Sequence, residues 1–300
     1  MIDAGMLEQM TAKDGFIAAL DQSGGSTPGA LRLYGVTESA YNSDKEMFAL
    51  VHKMRVRIMT APAFHGPRVL AAILFEATMD GEVLGQPTPT YLWKERGIVP
   101  ILKVDKGLDE EKDGVSLLKA MPDLGKLVDQ AVAKGMFGTK MRSVVHRASP
   151  TGIAAIVAQQ FDVAEQIAAR GLVPIVEPEV SIKAPDKAAC ETLLLEAMRS
   201  RLDALPSDVR VMLKLTIPTI KDLYAGLTKH PKVARVVALS GGYSRAEACR
   251  LLAQNHGMIA SFSRALAEDL RASMSDDEFH AALARSIDEI YRASTVKTAA

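Results

Sequence analysis

An α/β fold closed into a (β/α)8 TIM barrel is the reading that three observations support. Eight short apolar runs recur along the 300 residues, each is followed by a turn and a segment of helical periodicity, and no Gly/Ser- or Pro-rich linker divides the series. Apolar strands alternating with helices are the pattern of a parallel sheet covered by helices. Barrels of this kind commonly use about 250 residues as one unit. The chain is therefore read as a single barrel domain over residues 1–300.

In order, the runs are GFIAALD (15–21), VLAAILFE (69–76), IVPILKVD (98–105), MFGTKMRS (136–143), LVPIVEPE (172–179), VRVMLKLT (209–216), ARVVALSG (234–241) and MIASFSRA (258–265). Between them, Thr151 to Arg170, Asp186 to Leu205 and Ser244 to Asn255 carry apolar residues three and four apart, so each can lay one face on the sheet. Asp276 to Arg292 supplies a closing helix, and Asp80 to Glu95, which holds Pro87 and Pro89, reads as a loop.

Composition narrows the function. The chain balances 36 Lys and Arg against 36 Asp and Glu, and no basic block is interleaved with aromatics, so a nucleic-acid partner is not expected. The start MIDAGMLEQM lacks both a basic leader and a continuous apolar core, and no stretch approaches the roughly 20 apolar residues of a membrane span. A cytoplasmic protein with no membrane partner is expected. Cys190 and Cys249 stand alone and read as buried free thiols, while the six histidines show no HxH or HxxxH ligand pair, so no metal is expected.

Charge inside strands that should be buried on both faces is the informative anomaly. Lys103 follows VPIL, Lys140 follows MFGT, Glu177 follows LVPIV and Lys214 follows VRVML. Any one lysine is equally a side chain that snorkels out at a strand end. Four ionisable groups at four strand ends point instead to the C-terminal rim, where barrel enzymes gather their catalytic groups. A buried amine near other cations binds its proton less tightly and becomes a nucleophile. Lys214 has the most apolar approach of the three lysines and is the expected nucleophile.

Two turns add to the rim. Ser240-Gly241-Gly242 ends the seventh run, where backbone N–H groups can close around a phosphate, and Arg264 follows the eighth. Alone, SGG is an ordinary tight turn. The first run ends in Asp21-Gln22-Ser23-Gly24-Gly25-Ser26, which lacks the GxGxxG spacing of a dinucleotide site, so Asp21 reads as a catalytic or orienting carboxylate.

From Lys13 to Tyr291, the ordered motifs IAALDQSGGS, ILFE, LKVDKG, GTKMRS, VPIVEPE, LKLTIP, LSGGYS and SFSRAL resemble the class I fructose-bisphosphate aldolases, in particular their short bacterial form. The resemblance implies a glycolytic and gluconeogenic lyase. It would cleave fructose 1,6-bisphosphate reversibly to dihydroxyacetone phosphate and glyceraldehyde 3-phosphate, without metal or other cofactor.

It further implies Lys214 as the Schiff-base lysine, Glu177 as general acid/base, and Asp21 and Lys140 as groups around the breaking carbon–carbon bond. Ser240, Gly241 and Arg264 would hold the phosphate on the ketone half. Ser26, Lys103 and Arg142 would hold the distal phosphate, with Glu179 supporting the site from further out. The implied partner is a small phosphorylated sugar, and a homo-oligomer is left open. The alternatives are a lysine-dependent aldolase for another phosphorylated ketose, or a non-catalytic phosphosugar-binding barrel.

The sequence departs from the longer family members in two places. Thr27-Pro28-Gly29-Ala30 stands where they carry basic side chains, and STVKTAA stands in place of a flexible tail ending in tyrosine. With Val296 as its one sizeable apolar anchor, the segment from Ser294 to Ala300 is expected to fray and to be dispensable for turnover.

Overall fold

All eight apolar runs form strands in the computed structural model, which describes residues 3–299. They are β1 (Phe16–Leu20), β2 (Val69–Leu74), β3 (Val99–Lys103), β4 (Gly138–Val145), β5 (Val173–Val180), β6 (Val211–Thr216), β7 (Val233–Leu239) and β8 (Met258–Phe262). Each pairs in parallel with the next, and β8 returns to β1 through Ile17 opposite Ser261, so the barrel closes. A two-residue strand, Val115–Ser116, adds antiparallel to the end of β4.

Side chains alternate between two buried environments. Ile17, Ala19, Ile73, Ile101, Ile175, Met212 and Val237 point inward and pack together. Their neighbours, such as Ala18, Leu74, Leu102, Val176, Leu213 and Phe262, point outward into a continuous core under the helices. Because side-chain direction repeats every two residues, continuing the inward set toward each C-terminal end predicts what faces the rim. Two residues beyond Ala19 is Asp21, beyond Ile101 is Lys103, beyond Ile175 is Glu177 and beyond Met212 is Lys214, while Lys140 alternates with Met141 of the outward core. Strand periodicity thus carries five ionisable groups to one place.

The covering helices include α1 (Ala4–Ala12), α2 (Thr27–Leu33), α3 (Asp44–Thr60), α4 (Thr88–Arg96), α5 (Leu124–Ala133), α6 (Pro150–Ala168), α7 (Lys187–Ala204), α8 (Arg245–Leu252) and α9 (Asp276–Thr295). Local signals set their starts. Ser149 Oγ accepts from Gly152 N at 3.1 Å, with Pro150 in the first turn of α6, and Ser275 with Glu278 forms a capping box on α9. Helix α1 plugs the N-terminal end of the barrel: Met6 and Met10 join the inward cluster, and Gln9 Nε2 donates to the Leu70 and Gly97 carbonyls.

Two expectations from the sequence are corrected. Asp80 to Glu95 is not a plain loop: it holds a small hairpin, Glu82–Val83 with Gln86–Pro87, and most of α4. Pro89 lies in the first turn of α4, where its missing N–H removes no helical bond, and Gly97 (φ 62°) caps the other end. Nor does the chain fray after Ala293. Helix α9 continues to Thr295, and Ser294 is buried with its Oγ accepting from Ala260 N of β8 at 3.0 Å. Lys297 Nζ donates to the carbonyls of Leu252, Met258 and Ala293, and Thr298 N donates to Ala253 O. A lysine anchored by carbonyls leaves no apolar signature. Ala300 lies outside the described residues.

Cys190 and Cys249 are both buried and unbridged, and burial pushes each thiol up to about 12. Among the described residues, no helix is long and apolar enough to cross a membrane.

Candidate active site

The centre of the rim is a chain of alternating charges. Asp21 Oδ2 lies 2.6 Å from Lys140 Nζ, which lies 3.1 Å from Glu177 Oε2, and Glu177 Oε1 lies 3.2 Å from Lys214 Nζ. All four residues are less than one-tenth exposed. Buried ions are tolerable only where partners offset the lost hydration, and here each carboxylate has a cation beside it. Burial opposes ionisation of Asp21, yet Lys140, Lys214 and Lys103 together hold its carboxyl well below the usual carboxylate range. Burial likewise opposes the charge on Lys140, but Asp21, Glu177 and Asp105 raise its pKa above that of a free lysine. Its two carboxylate neighbours thus favour the charged form of Lys140.

Strand geometry makes room for Glu177 and Lys214. Paired positions between β5 and β6 end at Val176 opposite Leu213, so the next residue on each strand, Glu177 and Lys214, lies where the strands part. Glu177 N donates instead to Gln160 Oε1 of α6 at 2.8 Å, while Gln160 Nε2 donates to Ser143 Oγ at 2.9 Å. Thr216 Oγ1 bonds Val180 O at 2.7 Å and bridges the two strands further along. Just beyond the last paired positions, the Lys214 amine is held beside the Glu177 carboxylate.

Around this centre lie the other residues singled out from the sequence. Lys103 is opposite Lys140 in the β3–β4 register and donates to Asp105 Oδ1 at 2.8 Å and to its carbonyl at 2.7 Å. Arg142, opposite Glu177 in the β4–β5 register, donates to Glu179 Oε2 at 2.7 Å. Ser26 is exposed at the start of α2, and its hydroxyl is engaged with Ser23, accepting from its N–H and donating to its carbonyl.

Across the rim, Ser240, Gly241 and Gly242 form the turn after β7. Gly241 (φ 59°) and Gly242 (φ 114°) adopt left-handed conformations that favour glycine, and a Cβ on Gly242 would stand 3.6 Å from Arg264 Nη2. The Arg264 guanidinium has no hydrogen-bond or ion-pair partner among the described residues, so a cation beside backbone N–H groups is available to an anion. A cavity of about 310 Å³ lined by Gln22, Gly242, Tyr243 and Arg264 adjoins it.

Sequence reasoning overlooked Gln160 and Arg55. Both are fully buried polar side chains on helices. Arg55 falls on the same stripe of α3 as Met47, Val51, Met54 and Ile58, and a charge on an apolar stripe was the signal available.

Comparison with known proteins follows the same lines. Residues 8–217 match the family described as "Fructose-bisphosphate aldolase class-I". The chain is 59% identical over 288 residues to a fructose-bisphosphate aldolase class 1 of Synechocystis sp., covering 96% of each chain. It is 52% identical over 288 residues to a protein of that name from Porphyromonas gingivalis, covering 96% of this chain and 98% of that one. In three dimensions it is similar to a fructose-bisphosphate aldolase of Plasmodium falciparum, with a TM-score of 0.77 at 20% identity, over 99% of this chain and 98% of the other.

Proposed function

The chain belongs to the class I fructose-bisphosphate aldolase family, and from that premise we propose that it cleaves fructose 1,6-bisphosphate reversibly through a Schiff base on Lys214. The observation that carries the reading is the buried Lys214 amine 3.2 Å from Glu177 Oε1, just past the last paired positions of β5 and β6. Class I aldolases are carbon–carbon lyases whose electron sink is an iminium, so no step calls for a metal ion. The substrate is a small phosphorylated sugar, which sets the enzyme in glycolysis and gluconeogenesis.

The steps map onto the chain of charges. The Lys214 amine attacks the C2 carbonyl, and Glu177 donates the proton that lets water leave the carbinolamine. The resulting iminium draws the electrons of the C3–C4 bond as a base takes the proton of the C4 hydroxyl. Asp21 is that base, held ready by Lys140. Glyceraldehyde 3-phosphate departs as the aldehyde, leaving an enamine on Lys214. Glu177 returns a proton to C3, and water then releases dihydroxyacetone phosphate.

Ser240, Gly241 and Arg264 hold the ketone-side phosphate. Ser26, Lys103 and Arg142 hold the distal one, and this phosphate must compete with Asp105 and Glu179 for its two cations. With Thr27-Pro28-Gly29-Ala30 adding no positive charge nearby, recognition at that end is weaker than at Arg264. The whole chain, residues 1–300, acts as one barrel domain, a reading supported by the closure of β8 on β1.

Borohydride reduction in the presence of dihydroxyacetone phosphate tests the assignment. The expected result is an irreversible adduct on Lys214 alone, located by peptide mass spectrometry. An adduct on Lys103 or Lys140 contradicts it. Chelator should leave activity unchanged.

A further inference from the structure

Helix α3 packs its apolar stripe against the barrel beside β1, yet this stripe includes a guanidinium. Arg55 is 1% exposed, and among the described residues it pairs with no carboxylate. Its Nη1 donates to Thr78 Oγ1 at 2.6 Å and its Nη2 to the Gln22 carbonyl at 2.5 Å, while Nε is buried without a partner. Burying a charge among neutral acceptors is costly, and a Met there would extend the stripe at no such cost. Burial pulls the Arg55 pKa down to about 10, against the opposing charge of Asp21, so the group remains a cation at neutral pH.

What the guanidinium holds explains its placement. Gln22 directly follows Asp21, and its carbonyl is part of the chain as it leaves β1 for the glycine-rich turn. Gln22 Nε2 in turn donates to Ser263 Oγ at 2.6 Å, and Ser263 directly precedes Arg264. One buried cation thereby ties α3 to the end of β1, and through Gln22 to the end of β8. Asp21 is gripped from two sides: by Lys140 at its carboxylate, and by Arg55 through the next residue.

We propose that Arg55 is a positioning residue that fixes Asp21 for carbon–carbon bond cleavage by clamping the Gln22 carbonyl to helix α3. The inference rests on the role given to Asp21 above. Arg55 touches no substrate. It limits the directions Asp21 can take, and a lysine cannot reproduce the clamp, because one ammonium cannot span Thr78 and Gln22 with the fixed fork of a guanidinium.

The test is a double-mutant cycle with Arg55→Lys and Asp21→Asn, read by steady-state cleavage of fructose 1,6-bisphosphate and by borohydride trapping of dihydroxyacetone phosphate on Lys214. Arg55→Lys should lower kcat about tenfold or more, with KM within about threefold and trapping unchanged, since Schiff-base formation does not pass through Asp21. The double variant should be no slower than Asp21→Asn alone to within about twofold, because the clamp acts only through the carboxylate it positions.

Thr78→Val removes one anchor while leaving the charge, and should show the same pattern at smaller size if Arg55→Lys does not fold. Losses that multiply in the double variant, or an unaltered kcat in folded Arg55→Lys and Thr78→Val, overturn the proposal. A slow Asp21→Asn beside a wild-type Arg55→Lys overturns the Arg55 inference alone. Asp21→Asn cleaving at the wild-type rate overturns the assignment of Asp21 and the clamp with it.

Discussion

Asp21 Oδ2 and Lys140 Nζ face each other at 2.6 Å across the mouth of the barrel, both nearly out of contact with water. Burial acts against both charges, but neighbouring opposite charges outweigh it, so Asp21 is held below its ordinary 3.8 and Lys140 above its ordinary 10.5. The depressed acid contributes stability that is full above pH 3.8 and is lost as pH falls below it toward the folded value. The raised amine contributes stability that is full below pH 10.5 and is lost as pH rises beyond it. The stability due to this pair should therefore be flat through the neutral range. Lys140→Met, which strands the buried Asp21 carboxylate and leaves Glu177 only Lys214, should cost about 3–5 kcal/mol in urea unfolding at neutral pH. That deficit should shrink as pH falls through the acid range and Asp21 takes up a proton. A deficit that stays constant into acid would show that the pair is not the cause.

Glu177→Gln keeps the size of the side chain and its backbone bond to Gln160 but supplies no acid to the carbinolamine. Stopped-flow trapping should show Schiff-base formation slowed by about 10²–10⁴-fold, the usual worth of a positioned proton donor. The loss should fall on kcat. A variant with normal kcat and a raised KM would reduce Glu177 to a binding group.

Arg264, an exposed cation without a protein partner beside the glycine turn, has more to give an anion than Lys103 or Arg142, which already hold carboxylates. Arg264→Ala should weaken dihydroxyacetone phosphate binding by about 1.5–3 kcal/mol, the scale of a charge-assisted hydrogen bond. Unphosphorylated dihydroxyacetone should bind as before. Equal losses for both ligands in calorimetry would trace the effect to damage in the fold.

The barrel and its charged centre were legible in the sequence for one physical reason. A strand repeats every two residues, so Ile175 pointing inward requires Glu177 to do so, and Met212 requires Lys214. Groups placed by helices escaped notice, because a polar residue on a helix usually faces water. Gln160 and Arg55 do not, and only the apolar neighbours of Arg55, Val51, Met54 and Ile58, gave a hint. Ser26 illustrates a different limit: a motif fixes the residue's position in the chain, but its hydroxyl is taken up by Ser23 within the same turn. The tail misled because its anchors are hydrogen bonds to carbonyls, which composition does not reveal.

That tail supports a prediction opposite in one respect to its sequence. Ser294 Oγ accepts from the Ala260 N–H of β8 and donates to Ile290 O, and Lys297 gathers carbonyls from the end of α8, the start of β8 and α9. Removing residues after Ala293 leaves a buried strand N–H without a partner, which costs about 1–3 kcal/mol, and exposes the carbonyls that Lys297 held. Truncation should therefore lower the melting temperature by several degrees, at about 2–4 °C per kcal/mol for a domain of this order of size. Ser294→Ala alone should reproduce part of the drop. Catalysis is a separate matter, because Leu252, Ala253 and Met258 lie at the end of α8 and the start of β8, on the N-terminal side of the barrel, whereas Lys214 and Glu177 face the C-terminal rim. Among the described residues of this segment, the anchored groups all lie at that far end from the enamine. At a temperature where the truncated enzyme is folded, exchange of the C3 proton of dihydroxyacetone phosphate with solvent should proceed at the full-length rate per trapped Schiff base. If exchange slows strongly in the folded, truncated enzyme while bond cleavage survives, the tail delivers the proton and Glu177 does not.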